Sequence, residues 1–209
     1  MRAAGSPAGT MVPEHQEHPA CPEERRLPLV LPDPPLVDAG AGVRLRPWAP
    51  TPSDVAALAA AWADPAIVAG GRVPGDGSAV AAARWIEEEP GRRRRGLALD
   101  LVVGPAAGGG DVLGEVGLRN VDGVRRRAEV GWWTAVPGRG RGVASAAARL
   151  LVGWALRGPT DLAQVWCRID PSNTASARVA GAAGLARLGR AAGVEVWARA
   201  AAPSPPAGC

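Results

Sequence analysis

One turn constrains this chain more than any other feature of its sequence. Across Thr134-Ala-Val-Pro-Gly-Arg139-Gly-Arg-Gly-Val-Ala144, an alternating apolar run gives way to a helical one, and glycines occupy the switch. Glycine adopts positive φ and lets a ligand come close to the backbone, so successive N–H groups can point into one concavity. The start of a helix adds partial positive charge there, and Arg139 and Arg141 add full charges. A diphosphate is the guest that such a turn suits. The competing reading is a flexible loop in an Arg- and Gly-rich chain. The helix that follows carries Val143, Ala147, Leu150, Leu151 and Trp154 on one face at a 3.6-residue period.

The elements around this turn alternate in a mixed order. Val43–Trp48 alternates as a strand with Pro47 at its end. Thr51-Pro-Ser-Asp54 reads as a helix cap for an Ala-rich helix to about Ala63, and Ser78 caps a second helix that Pro90 should stop after Glu89. Leu97–Val103, Val112–Asn120 and Ala128–Thr134 read as three successive strands. Beyond the central helix come a strand at Ala163–Ile169, a short helix capped by Ser172 or Asn173 and ending at Gly184, and a hairpin of Leu185–Arg190 with Val194–Ala200. The order β-α-α-β-β-β-α-β-α-β-β implies an α+β fold, a mixed sheet flanked by helices, and excludes a doubly wound dinucleotide fold. Residues 1–41, rich in Pro, Gly, Glu and His, read as a disordered tail, residues 42–200 as the folded domain and residues 201–209 as a second disordered stub.

Composition removes whole classes of chemistry. All 24 basic residues are Arg, Tyr and Phe are absent, and Trp supplies all eight aromatics. A lysine Schiff base, a phosphate-loop lysine and a phenolic acid are therefore excluded. His15 and His18 lie in the tail, which leaves the domain without a histidine triad or a histidine metal site. With Cys21 they have a spacing that could touch a metal, but no second ligand pair follows, so no metal is expected. Three distant cysteines, Cys21, Cys167 and Cys209, argue against a disulfide framework and for a cytoplasmic setting. No run is apolar enough to span a bilayer. The tail has net charge −3 (three Arg, six acids) and the remainder +7 (21 Arg, 14 acids), but no nucleic-acid motif accompanies the basic excess.

At this point the sequence resembles a known family. Arg139-x-x-Gly142-x-Ala144 is similar to the Q/R-x-x-G-x-G/A signature of the GNAT acyltransferases, and it stands between a strand and a helix as it does there. Asp170-Pro-Ser-Asn173-Thr-Ala-Ser176 resembles the D-P-x-N-x-x-S stretch of the RimJ/RimL-type N-acetyltransferases. "LGEVGLRNV", "AEVGWWTAVPGRGRGVA" and Val43–Trp48 are similar to that subgroup as well. The resemblance covers about residues 42–200. It implies the GNAT fold with a mostly antiparallel sheet, acetyl-CoA as co-substrate, and a primary amine as acceptor, either a protein N-terminus or a small molecule. It further implies that the backbone of Gly140, Arg141, Gly142, Val143 and Ala144, with Arg139, holds the pyrophosphate. Main chain at Thr134, Ala135 and Val136 should meet the pantetheine arm, Asn173 should contact it, and Ser176 should lie near the sulfur. Glu129 falls where relatives keep a carboxylate base. The alternative is a domain of this fold that binds acyl-CoA without turnover. A homodimer is compatible with either reading.

Elimination points the same way. An amine attacks a thioester only as the free base, and carboxylates are the side-chain bases left in the domain. Glu129 and Glu115 are the strand candidates, and Ser176 is the donor candidate for the departing thiolate. The ordinary readings are an ion pair with Arg125–Arg127 for Glu129, an outward strand position for Glu115 and a helix cap for Ser176. Cys167 reads as core, and Arg92–Arg95 and Arg125–Arg127 as solvated loops. Trp132 and Trp133 must face opposite sides of their strand, one in the core and one toward an acceptor cleft.

Overall fold

The computed structural model describes Leu27, residues 29–70 and residues 76–202. In chain order they form β1 (Val37–Asp38), β2 (Val43–Pro47), α1 (Pro52–Trp62), α2 (Pro65–Val68), α3 (Ala79–Arg94), β3 (Ala98–Pro105), β4 (Gly114–Asp122) and β5 (Arg127–Thr134). A 3₁₀ turn at Val136–Gly138 leads to α4 (Val143–Arg157), followed by β6 (Gln164–Ile169), α5 (Thr174–Ala182), β7 (Ala186–Ala191) and β8 (Val194–Ala200). The strands make one eight-stranded sheet in the order β1-β2-β3-β4-β5-β6-β8-β7. Every pairing is antiparallel except β5 with β6, where α4 makes the crossover that parallel neighbours need.

The period-two alternation sorts side chains onto two unlike faces. Val43, Leu45, Leu99, Leu101, Val103, Val116, Leu118, Ala128, Val130, Val165, Cys167 and Ile169 form an aliphatic core with α4 and α5. The intervening residues face the other way, where Trp48, Val102 and Trp133 pack with Leu58, Trp62, Ala82 and Ile86 of α1 and α3. That second face also carries the polar residues of the sheet. α1 begins as the sequence predicts, with Thr51 Oγ1 accepting from the Asp54 N–H at 3.2 Å and Pro52 in the first turn. Asp54 is buried against Arg46 in a two-pronged ion pair, both contacts at 2.7 Å.

Three expectations are corrected. In the stretch expected to be a disordered tail, Leu27 and residues 29–41 are docked on the domain. Leu27 and Leu29 are buried in the aliphatic core, and the Leu29 N–H donates to the Arg93 carbonyl at 3.4 Å. Val37 and Asp38 pair with β2, and Arg149 of α4 donates to Asp38 at 2.6 Å. Prolines break this segment into short extended pieces, so its leucines show no period although they are core residues. Gly96 accepts the close approach of the Leu27 carbonyl, at φ +68°.

Second, α3 continues through Pro90 to Arg94. Proline removes one helical hydrogen bond, but the last turn is held by its side chains. Arg92 donates to the Trp85 carbonyl at 3.0 Å and lies 4.2 Å from the Trp85 ring, while Arg93 stands 3.3 Å from buried Glu89. Third, Arg92 and Arg93 are therefore not solvated, and Arg127 opens β5, whereas Arg125 and Arg126 do form a turn, salt-bridged to Asp122 and Asp161. His15, His18, Cys21 and Cys209 lie outside the described residues. Among the described residues no cluster could hold a metal, and no helix is long and apolar enough to cross a membrane.

Candidate active site

Parallel pairing of β5 with β6 ends at Glu129↔Trp166, although β5 runs on to Thr134 and β6 to Ile169. Past Glu129 the two strands diverge, and a cleft of about 1710 Å³ opens between them. That is larger than the ~300–1,000 Å³ of a typical small-ligand pocket, so the cleft can take an extended molecule. The cradle predicted from the sequence forms one wall. Gly140 and Gly142 have φ of +72° and +74°, and a Cβ at either would meet nothing within 4 Å. Glycine is required there by backbone conformation, and the space above it is open. Gly142 sits at the N-cap of α4 with no side chain capping the helix. The first N–H groups of α4 thus face the cleft, an arrangement suited to phosphate oxygens.

The two arginines of the turn brace it. Arg139 donates to the Thr134 carbonyl at 3.2 Å and to Asp64 at 2.5 Å, and Arg141 donates to the Pro137 carbonyl at 3.1 Å. Asp64 caps α2, and its carboxyl is held below the usual range by the Ala66 N–H and by Arg139. Arg139 therefore joins the cradle to the helical layer across the cleft.

Of the residues expected to hold the co-substrate, Thr134, Arg139, Gly140, Gly142, Val143, Ala144 and Asn173 line the cleft, with Glu129 and Ser176; Ala135, Val136 and Arg141 do not. The Ala135 N–H is used by the Leu113 carbonyl, and the Ala135 and Val136 carbonyls accept from Gly138 and Arg139 to close the 3₁₀ turn. The free edge of β5 accordingly begins just past Glu129, earlier than the Thr134–Val136 segment that the sequence suggested. Asn173 caps α5 through its side-chain oxygen, which accepts from the Ser176 N–H at 2.9 Å. Ser176 is half-buried in the first turn of α5, beside the cleft.

Glu129 is 2% exposed and lies where β5 and β6 part. Its Oε2 accepts from Asn120 Nδ2 at 2.7 Å and from Arg168 at 3.2 Å, with Arg119 Nε at 4.0 Å. Of the partners expected in the ion-pair reading, Arg125 and Arg127 pair with Asp122 and Arg126 with Asp161. The sequence reading missed Asn120, Arg119 and Arg168, though alternation offered a signal: Arg119 is the cross-strand partner of Glu129, and Arg168 lies two residues beyond its parallel neighbour Trp166.

A second acidic centre lies on the same face. Glu115 of β4 accepts from the Trp48 indole N–H at 3.2 Å, and Asp100 of β3 stands 3.5 Å from Arg92. With Gly117, Arg119, Gly131, Trp132 and Trp133 they line a cavity of about 10 Å³, roughly the space of one water. Burial, and next the charge of Asp100, push Glu115 up to about 8. Burial likewise pushes Asp100 up to about 6, against the pull of Arg92. Trp133 is buried on this face, while Trp132 is half-buried on the α4 face, and both border the cleft.

Comparison with known proteins agrees with this geometry. The model of the acetyltransferase (GNAT) domain matches residues 43–186, most of the chain. This chain belongs to the GNAT acetyltransferase family. It is an acyl-CoA-dependent N-acetyltransferase, a class that moves an acetyl group from acetyl-CoA to an amine. No curated protein matches the sequence. Solved structures share the fold at low identity. Mycobacterium smegmatis RimJ in complex with CoA-disulfide has 22% identity and a TM-score of 0.63, covering 80% of this chain and 86% of that one. A putative ribosomal-protein-serine acetyltransferase from Vibrio cholerae has 18% identity and a TM-score of 0.63, covering 82% and 99%. The microcin C7 self-immunity acetyltransferase MccE, in complex with acetyl-CoA and AMP, has 15% identity and a TM-score of 0.61, covering 76% and 92%. The part of this chain that matches spans 86–99% of these three structures.

Proposed function

We propose that this GNAT domain acetylates a primary amine by direct attack in a ternary complex, in the cytoplasm, with a protein N-terminus or a small molecule as the acceptor. The backbone from Gly140 to Ala144 binds the pyrophosphate of acetyl-CoA, and the free edge of β5 past Glu129 pairs with the pantetheine. Glu129 is the base for the attacking nitrogen, directly or through one water. Ser176 donates to the departing thiolate. The supporting relatives include one solved with acetyl-CoA and others named as ribosomal-protein acetyltransferases.

The observation that carries this reading is the divergence of β5 from β6 at Glu129, which runs a cleft from a buried carboxylate to the uncapped start of α4. Gly142→Asp tests it. The substitution strains a backbone at φ +74° and sets a negative charge beside the diphosphate. Calorimetry with CoA should show affinity falling by about 10²-fold or more, with the circular dichroism spectrum retained. Undiminished CoA binding by a folded variant would sink the assignment. Thiol release with a panel of amines then identifies the acceptor.

A further inference from the structure

The face that carries Glu129 holds a second carboxylate, and the register shows what lies between them. Along β4 and β5 the facing pairs are Glu115↔Trp133, Gly117↔Gly131 and Arg119↔Glu129. The two glycines add no side chain between Glu115 at one end and Glu129 at the other, and Asp100 of β3 reaches over Gly117. A Cβ at Gly117 would lie 2.9 Å from Asp100 Oδ1. The small cavity beside Glu115, which Gly117 and Gly131 line, shares Arg119, Trp132 and Trp133 with the large cleft.

The reaction itself needs two proton acceptors. An alkylamine arrives as an ammonium ion, because its conjugate acid, like that of lysine, loses its proton near pH ~10.4. One proton must leave before the nitrogen can attack, and a second must leave as the amide forms.

We propose that Glu115 is a further catalytic residue of this transfer, taking the first proton from the acceptor ammonium past the Gly117–Gly131 pair, with Asp100 as its positioning partner. This rests on the acetyl-transfer reading above. The ammonium, in the large cleft, gives one proton to the Glu115 carboxylate through a water of the size the small cavity holds. The freed lone pair forms the C–N bond to the thioester carbonyl carbon, and the C–S bond breaks with its electron pair going to sulfur. The second nitrogen proton passes to Glu129, and the thiolate takes up one proton. Ammonium plus thioester becomes amide plus thiol plus one released proton.

The surroundings suit that task. The indole N–H of Trp48 holds the Glu115 carboxylate in place, and Trp133 lies directly across. Asp100 from β3 and Arg92 from α3 are its charged neighbours, Arg119 stands four residues along β4, and Arg46 of β2 is engaged by Asp54. Glu129 is held by two guanidinium groups, whereas Asp100 brings a like charge toward Glu115 and favours its taking a proton.

The experiment compares two acceptor classes with full-length protein at pH 7. A simple alkylamine is protonated there, and an aniline- or hydrazide-class amine is not. Glu115→Gln should lose about 10²-fold in kcat/KM with the alkylamine, and at least tenfold less with the weakly basic amine. Glu129→Gln should lose similarly with both. In Asp100→Asn, the rise of kcat/KM with pH should move to lower pH. Tryptophan fluorescence from Trp48 and Trp133 supplies a readout without turnover: a titration near pH 8 that Glu115→Gln abolishes and Asp100→Asn shifts downward. Equal losses for both acceptor classes in a folded Glu115→Gln enzyme that still binds CoA would overturn the proposal. A wild type that binds CoA but acetylates neither class would instead overturn the acetyl-transfer reading beneath it.

Discussion

The two faces of the sheet are made by the same alternation and serve opposite ends. Toward α4 and α5, successive Val, Leu, Ile and Ala side chains interlock, and that face is sealed even at its edge by Leu27 and Leu29. Toward α1 and α3, the same strands present Asp100, Glu115, Arg119, Glu129 and Arg168 around a pair of facing glycines. Four tryptophans cover part of this second face, with Trp48–Trp85 and Trp62–Trp85 edge-on at 6.2 and 5.9 Å. Large rings shield carboxylates from water while their N–H groups still satisfy an oxygen. The stability of the fold rests mainly on one face, then, and its chemistry on the other. Truncating an aliphatic side chain toward α4 and α5 should therefore mainly cost stability, and removing a carboxylate from the other face should mainly cost turnover.

Glu129→Gln is the strongest test of that division. It keeps the shape and removes the proton acceptor, so the acetylation rate near neutral pH should fall by about 10²–10⁴-fold in a variant that still folds and binds CoA. Stopped assays of thiol release together with urea titration check both halves. A variant as fast as wild type at pH 7 would strip Glu129 of the role.

Leu29→Ala probes the opposite face. Truncating a buried leucine should cost about 2–4 kcal/mol of stability, read as a lower urea midpoint, with kcat of the folded enzyme preserved. The result would also show that the segment from Leu27 onward belongs to the domain. An unchanged midpoint would return that segment to a dispensable tail.

Ser176→Ala should have a smaller effect. Water can protonate a thiolate, and the cap of α5 uses the Ser176 N–H rather than its hydroxyl. The expected loss is about tenfold or less in kcat, and it should not shrink as the pH is raised. A deficit that disappears at high pH would mean that Ser176 acts on the amine.

The smallest effect sharpens the comparison from the side of stability. Burial raises Glu115 from its ordinary 4.5 to about 8 in the folded protein. Between those values the folded state holds a proton that the unfolded state releases, so stability falls as pH rises through that window and is lowest above it. Glu115→Gln removes the penalty. Its melting temperature should exceed that of wild type at pH 9 and equal it at pH 4. No gain at pH 9 would mean that water or Arg92 already compensates the charge. A stabilising substitution that slows turnover is the expected mark of a functional carboxylate.

Much of this was legible in the chain. Strand alternation put Trp132 and Trp133 on opposite faces, the Thr51 and Ser78 caps started their helices as read, Asn173 rather than Ser172 caps α5, and the glycine turn at Gly140–Gly142 stands before α4 as read. Those signals are local: a period, a cap or a positive-φ position is written in neighbouring residues. Tertiary structure alone decided that Glu129 meets Arg168, 39 residues away, that Glu115 meets Trp48 across 67, and that Asp100 lies beside Glu115. It also decided that a proline-broken leader closes the core and that Arg92 carries α3 past Pro90. These depend on which strands pair, in what register, and on what then excludes water. A sequence can name a carboxylate, but its proton affinity is set by the charges and the covering that distant segments bring to it.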